Sequence, residues 1–283
     1  MESTIRIVRN RDLEAFWGVL RAKEPGFMRS LITWMGGPDG YINTNPGIAI
    51  ESRHCAVGLM DMGPGQRQPG VHTHTMTEIY VILEGMVESF DGVGNRHIAG
   101  PLDCLYIPKG VPHGVRTVGD TPVKLLWIND EIEKWGVSLY QEGPGPHPAE
   151  REVSLIPFLS LEPNWSSKQA NVPGFLHWNV SWVGDAATGP NYNPDHAAPN
   201  NRVGVSLSVV QPANRLPASP AEGDQLYVVV RGRAVVFAEH QPPSVLEPQD
   251  AVFCPAGVPL DLRALDGSPL YLIRVHESVE KPA

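Results

Sequence analysis

Two stretches of this 283-residue chain repeat one another at a fixed distance, and that repeat constrains the fold more than any local pattern. EIYVILEG begins at Glu78 and QLYVVVRG at Gln225, a separation of 225 − 78 = 147 residues. The same separation carries DCLYIPKGVP, from Asp103, onto DAVFCPAGVP, from Asp250, so that Pro108, Gly110 and Pro112 align with Pro255, Gly257 and Pro259. VKLLWIND likewise falls on LYLIRVHE. A constant offset across three separate apolar runs implies two copies of one module.

The repeated runs are short and rich in β-branched and aromatic residues, and Gly, Pro, Asn and Asp clusters separate them. With 28 Gly and 28 Pro the chain is turn-rich, and many short strands at regular spacing read as a β-sandwich or barrel. The expected fold class is all-β with one short helical segment near the N-terminus. That helix is predicted over Asp12 to Lys23, where Leu13, Phe16, Trp17 and Leu20 recur at three- and four-residue steps behind an Asp12 cap. The chain then divides into an N-terminal extension (1–45), a first module (46–130), a Pro- and Gly-rich connector (131–189) and a second module (190–283). A connector of this length is expected to pack along the barrels and add strands to their edges.

With 22 Lys and Arg against 31 Asp and Glu, the formal net charge is −9. This disfavours a nucleic-acid partner or an anionic membrane surface. No stretch approaches the ~20 apolar residues of a membrane span, and the first residues lack the apolar core of a signal peptide. Cys55, Cys104 and Cys254 are isolated, without the spacing of a zinc or redox pair, and Cys104 reads as a core residue. The expectation is a cytoplasmic protein with a small-molecule substrate.

The chemistry-bearing residues lie in the first copy. In VHTHTMTEIYVILEG, His72 and His74 stand two apart, which on a strand puts both imidazoles on one face. Glu78 follows on the next strand, with Tyr80 and Ile82 sharing its parity, and His113 follows the IPKGVPH turn. Three imidazoles and a carboxylate converging in a small barrel would make a mixed nitrogen and oxygen site, suited to Fe(II), Mn(II), Ni(II), Cu(II) or Zn(II). At the offset of 147 these positions become Ser219, Ala221, Gln225 and Leu260, a set that cannot rebuild the site.

In VKLLWIND, an outward Lys124 places Leu125, Trp127 and Asn129 inward. Trp127 is then a pocket wall near the metal or an ordinary core aromatic; its counterpart is Arg274. Tyr80 either orients a substrate or proton or fills a barrel end, and its counterpart is Tyr227. Met60 or Met62, Ile82 and Leu125 are candidates for an apolar substrate pocket. Arg53, His54 and Arg116 are candidates for a substrate carboxylate, against the commoner reading of surface salt bridges. His97, His147, His177, His196, His240 and His276 lack a motif context and read as structural or exposed.

The first copy resembles the cupin superfamily, and the pair resembles a bicupin. His72, His74, Glu78 and Gly85 fit the first cupin motif, with the leading Gly displaced to Gly65. Pro108, Gly110 and His113 fit the second, with its first Gly at Gly100 and Thr117 in place of its last Asn. The resemblance implies a jelly-roll barrel for each module, and a metal held by His72, His74, Glu78 and His113. It resembles quercetinase-type and ring-cleaving dioxygenases, in which one barrel is active and the other degenerate. The expected function is therefore an Fe(II)-dependent dioxygenase acting with O₂ on a small phenolic, enol or diketone substrate, with Glu78 as base. The alternatives are isomerase, decarboxylase or lyase chemistry at the same metal, and a non-catalytic binding protein. Oligomeric state stays open between a monomer, whose fused modules cover the face single cupins bury by dimerising, and a homodimer.

Overall fold

The computed structural model describes residues 4–38, 43–91, 94–132, 139–141, 152–166, 170–185, 188, 190–218, 220–238 and 241–278. Its contacts divide the chain into Leu13–Phe158 and a second unit made of Met1–Asp12 with Leu159–Ala283. Both are built from strands.

After β1 (Arg6–Val8), the first unit contains β2 (Arg29–Gly36), β3 (Ile50–Glu51), β4 (Ala56–Met62), β5 (Val71–Thr73), β6 (Glu78–Glu84), β7 (Met86–Asp91), β8 (Arg96–Ala99), β9 (Cys104–Ile107), β10 (His113–Val118), β11 (Val123–Asn129), β12 (Leu139–Gln141) and β13 (Ser154–Ile156). They form a seven-stranded sheet in the order β13-β9-β6-β11-β4-β2-β3 and a five-stranded sheet in the order β12-β5-β10-β7-β8. Inner residues of both sheets meet in one core. Met60, Tyr80, Ile82, Leu125 and Trp127 come from the larger sheet, and Val87, Ala99 and Val115 from the smaller. The alternation read from VKLLWIND holds, since Leu125 and Trp127 join this core while Lys124 pairs with Glu84 at 3.4 Å on the outside.

The second unit adds β14 (His177–Val183), β15 (Val203–Val210), β16 (Gln225–Arg231), β17 (Ala234–Phe237), β18 (Ser244–Leu246), β19 (Ala251–Cys254), β20 (Asp261–Ala264) and β21 (Leu270–Glu277). Its sheets run β1-β19-β16-β21-β15-β14 and β18-β17-β20. The offset of 147 takes β6, β9 and β11 onto β16, β19 and β21, and a register shift recurs at the matching place, between Lys124 and Leu125 and between Val229 and Arg231. The two sheets pack through Val229, Leu270 and Leu272 against Val236, Leu246 and Leu262.

The repeat extends further upstream than the apolar runs revealed. Asn45 Oδ1 accepts from the Thr33 backbone N–H, and its amide donates to the Glu14 carbonyl. Asn193 does the same with Ser181 and Glu162, each position shifted by 148. Strand β14, inside the stretch read as a connector, is thus the counterpart of β2. The same stretch also supplies β12 and β13 to sheet edges in the first unit, as expected of a long packed connector.

The helix expected over Asp12–Lys23 does not form. A 3₁₀ turn covers Asn10–Asp12, and Phe16 then bridges Leu31 with backbone hydrogen bonds of 2.8 and 3.0 Å. Gly18 lies in the middle of this stretch, and Arg21 adopts a positive φ of 60°, both unfavourable to a helix. Phe16, Trp17 and Leu20 are largely exposed, so no apolar face was there to be buried. Among the described residues, no helix is long and apolar enough to cross a membrane.

Candidate metal centre

Four side chains from three strands and one loop meet in the first barrel. His72, on β5, stands directly opposite His113 at the start of β10, so the two imidazoles share a face. His74 lies just beyond β5, and its carbonyl accepts from the Gly110 backbone N–H at 2.9 Å, which draws the turn before His113 against it. Gly110 has φ of +80°, a conformation that explains the glycine in PKG. Glu78 opens β6, and the preceding loop is pinned because Thr77 N–H donates to Asp130 Oδ1 at 2.8 Å.

One ligand atom from each of His72, His74, Glu78 and His113 can be chosen so that all lie within 4.8 Å of one another. Glu78 Oε2 is 2.8 Å from His113 Nε2, 3.3 Å from His74 Nε2 and 3.9 Å from His72 Nε2. Donors about 2.1 Å from a common ion in octahedral geometry stand about 3.0 Å apart when adjacent and about 4.2 Å when opposite. The three distances from Glu78 Oε2 fall close to that range, and the donor set is one a divalent metal takes. His113 Nδ1 donates to the Val111 carbonyl at 2.9 Å, which orients the ring with Nε2 toward the cluster.

Electrostatics point the same way. Burial alone would push the Glu78 carboxyl up, but His74 and His113 outweigh it and hold the group well below the usual carboxylate range. His72 is held well below the usual imidazole range, chiefly by burial, with His113 and His74 and, more weakly, Arg29 adding to it. An ionised carboxylate beside a neutral imidazole is the protonation pattern a metal site requires.

Around the cluster, Tyr80 donates to Glu78 Oε2 at 2.8 Å, so its hydroxyl acts on the carboxylate. Trp127 lies against Gly58, where an added Cβ would come within 2.3 Å of the indole. Met60, Met62, Ile82, Leu125 and Trp127 belong to the one packed apolar core that also holds Tyr80. Asn129 is buried opposite Glu78, and both Asn129 Oδ1 and Trp127 Nε1 are buried without a hydrogen-bond partner. Arg53 is different. It is exposed in the loop between β3 and β4, as is His54, and Arg116 pairs outside with Glu88 at 2.7 Å.

Of the other histidines, His177 and His276 are buried, while His147 and His240 lie outside the described residues, as does Ser219. Burial pushes the Cys104 thiol far up, which suits a core residue and not a nucleophile. Sequence reasoning missed Val111 and Arg29. Val111 acts through its carbonyl, which no side-chain motif reports, and Arg29, on a strand that carries no motif, donates to the Leu20 and Phe27 carbonyls and bears on the site only through a weak charge effect on His72.

In comparison with known proteins, a family model described as a cupin domain matches residues 58–129. No curated protein sequence matches the chain. Solved structures do. A putative glyoxylate-induced protein from Pseudomonas aeruginosa superposes with a TM-score of 0.67 at 14% identity, covering 100% of this chain and 92% of that one. The oxalate decarboxylase of Lactobacillus farciminis gives 0.62 at 14%, covering 99% and 87%, and the salicylate 1,2-dioxygenase of Pseudaminobacter salicylatoxidans gives 0.60 at 16%, covering 98% and 85%. Identities this low report shared fold and not shared reaction. Residues 58–129 are a cupin domain, and the chain as a whole shares its fold with these solved structures.

Proposed function

We propose that the first barrel is a metal-dependent oxygenase, with Fe(II) held by His72, His74, Glu78 and His113 and a small phenolic, enol or diketone substrate in the apolar lumen beside it. The observation that carries this reading is the convergence of three imidazoles and one carboxylate in a buried cluster, in a barrel whose core contains Met60, Ile82, Leu125 and Trp127. Four protein donors leave two positions of an octahedral ion open, and such an ion, when bound, supplies redox chemistry toward O₂ and Lewis acidity toward a substrate oxygen.

The chain's own residues do the rest. The apolar wall excludes water and favours an aromatic or otherwise apolar body over a sugar phosphate. Trp127 Nε1 and Asn129 Oδ1 offer one donor and one acceptor to a substrate without giving up an existing hydrogen bond. Glu78 is the base toward a substrate hydroxyl once it moves away from His113, and Tyr80 positions it by donating to the same oxygen. While the imidazoles hold it, Glu78 is a weak base and a good ligand, so release and proton uptake are coupled.

The similarity to oxalate decarboxylase supports a second reading, non-oxidative chemistry at the same metal. The discriminating experiment is metal analysis of protein purified without oxygen or chelator, native against His74→Ala, followed by O₂-uptake assays with phenols, enols and diketones. Near-stoichiometric iron, lost in the variant, with substrate-dependent O₂ uptake supports the oxygenase. Turnover that persists under strict anoxia sinks it in favour of decarboxylase, isomerase or lyase chemistry. Neither metal nor turnover leaves the binding protein.

A further inference from the structure

The second barrel has lost its metal ligands without becoming apolar. On the inner face of its large sheet, Arg274 is flanked across the strands by Ser206 and Tyr227, where the first barrel has Trp127 between Gly58 and Tyr80. Asn179 opposite Ser208 replaces Leu31 opposite Met60, and the Ser208 hydroxyl donates to Asn179 Oδ1 at 2.7 Å. His276 opposite Gln225 replaces Asn129 opposite Glu78. An apolar wall has been exchanged for hydroxyls, an amide and a cation.

Arg274 is the residue this wall does not account for. Arg274 is half-buried, its Nε is buried without a hydrogen-bond partner, and no carboxylate forms an ion pair with it among the described residues, so the lumen-side part of its charge lacks the pairing that burial calls for. Arg274 stands directly opposite Tyr227 and two residues along the same strand from His276, and its charge acts on both. Tyr227 donates its hydroxyl hydrogen to Gln225 Oε1, copying the Tyr80 to Glu78 bond and leaving the phenol oxygen to accept from Arg274. Nδ1 of His276 donates to the Thr188 carbonyl. The acidic groups with an influence here, Glu222 and Asp224, act on His276, and Asp224 already accepts from the Ala256 backbone N–H at 2.7 Å.

Next to this polar end the lumen is apolar, with Val229, Leu260 and Leu272 in one cluster, and Leu260 standing where His113 stands in the first barrel. We infer that the lumen of the second barrel binds a small organic monocarboxylate, its carboxylate on the Arg274 guanidinium and its apolar body against Val229, Leu260 and Leu272. A single cation matches a single negative charge, whereas a phosphate monoester, at about −1.5 to −2, would leave charge unmet. The planar fork of arginine also fits a carboxylate in a two-bond contact.

Isothermal titration of the full-length His74→Ala chain with benzoate, and with benzamide as its neutral counterpart, tests this without interference from the metal centre. Saturable benzoate binding is expected, with benzamide weaker by about tenfold or more. Arg274→Gln should weaken benzoate by about tenfold or more and Arg274→Lys by less, with far-UV circular dichroism unchanged. Should Arg274→Gln fail to fold, Ser208→Met, which restores the residue type of Met60 and fills the site, should abolish benzoate binding in a folded protein. The inference is overturned if benzamide binds as well as benzoate, if Arg274→Gln and Ser208→Met leave the affinity unchanged, or if benzoate shows no saturable binding up to about 10 mM.

Discussion

At the scale of the residue, the centre is a charge arrangement before it is a motif. Glu78 is kept ionised by His74 and His113, and His72 is kept neutral chiefly by burial, so removing one group changes what the others can do. His113→Ala should leave a folded barrel, because Val115, Leu125 and their neighbours still pack, but should lose at least about tenfold in metal affinity; metal analysis against circular dichroism separates the two effects. Glu78→Gln should retain metal and lose turnover. Unchanged turnover would remove Glu78 from the role of base. The four ligands could be read from the chain because each is a side chain at a fixed spacing. The Val111 carbonyl that orients His113 could not, because every residue carries one.

At the scale of the element, strands were legible where apolar alternation is enforced by a core on one side, as along β11, and the supposed helix failed where no such core existed. Leu13, Phe16, Trp17 and Leu20 have helical spacing, but periodicity reports a helix only if its apolar face finds a partner. Backbone pairing of Phe16 with Leu31 won instead. The turn glycine between β6 and β7 shows the opposite case, a local requirement visible in sequence. Gly85 has φ of +73°, and a Cβ there would lie 2.4 Å from the Pro122 carbonyl oxygen; Gly232 occupies the matching turn with φ of +79°. Gly85→Ala is expected to destabilise the first unit by about 1–3 kcal/mol, measured by urea denaturation.

At the scale of the whole molecule, the first residues of the chain belong to the same unit as the last. Strand β1 pairs with β19, Ile5 joins the core of that unit, and Arg9 pairs with Asp250 at 2.9 Å. Deleting residues 1–9 should therefore lower the melting temperature of the second unit while metal binding in the first persists, and a single unshifted transition would refute this. Stability should also depend on pH. The imidazoles of His177 and His276 are held below their usual range, chiefly by burial, so the unfolded chain binds protons more tightly than the folded one. Their contribution is present above about pH 6.5 and is lost as pH falls through the folded values. Thermal unfolding at about pH 7.5 and about pH 5.5 should show the loss, reduced when His276 is replaced by Asn, the residue type at the matching position of the first barrel.

The sequence by itself determined the duplication, the all-β class and the candidate metal ligands, because each depends on side-chain type at regular spacing. Tertiary structure alone decided where the second module begins, which unit owns the N-terminal strand, and that Arg53 stands outside while Arg274 stands within. The equivalence of Thr33 and Asn45 to Ser181 and Asn193 rests on a backbone N–H and one amide oxygen at an offset of 148, one residue out of step with the apolar runs. Backbone pairing is nearly blind to side-chain identity, and whether a charged side chain faces water or a lumen follows from which strands lie beside it.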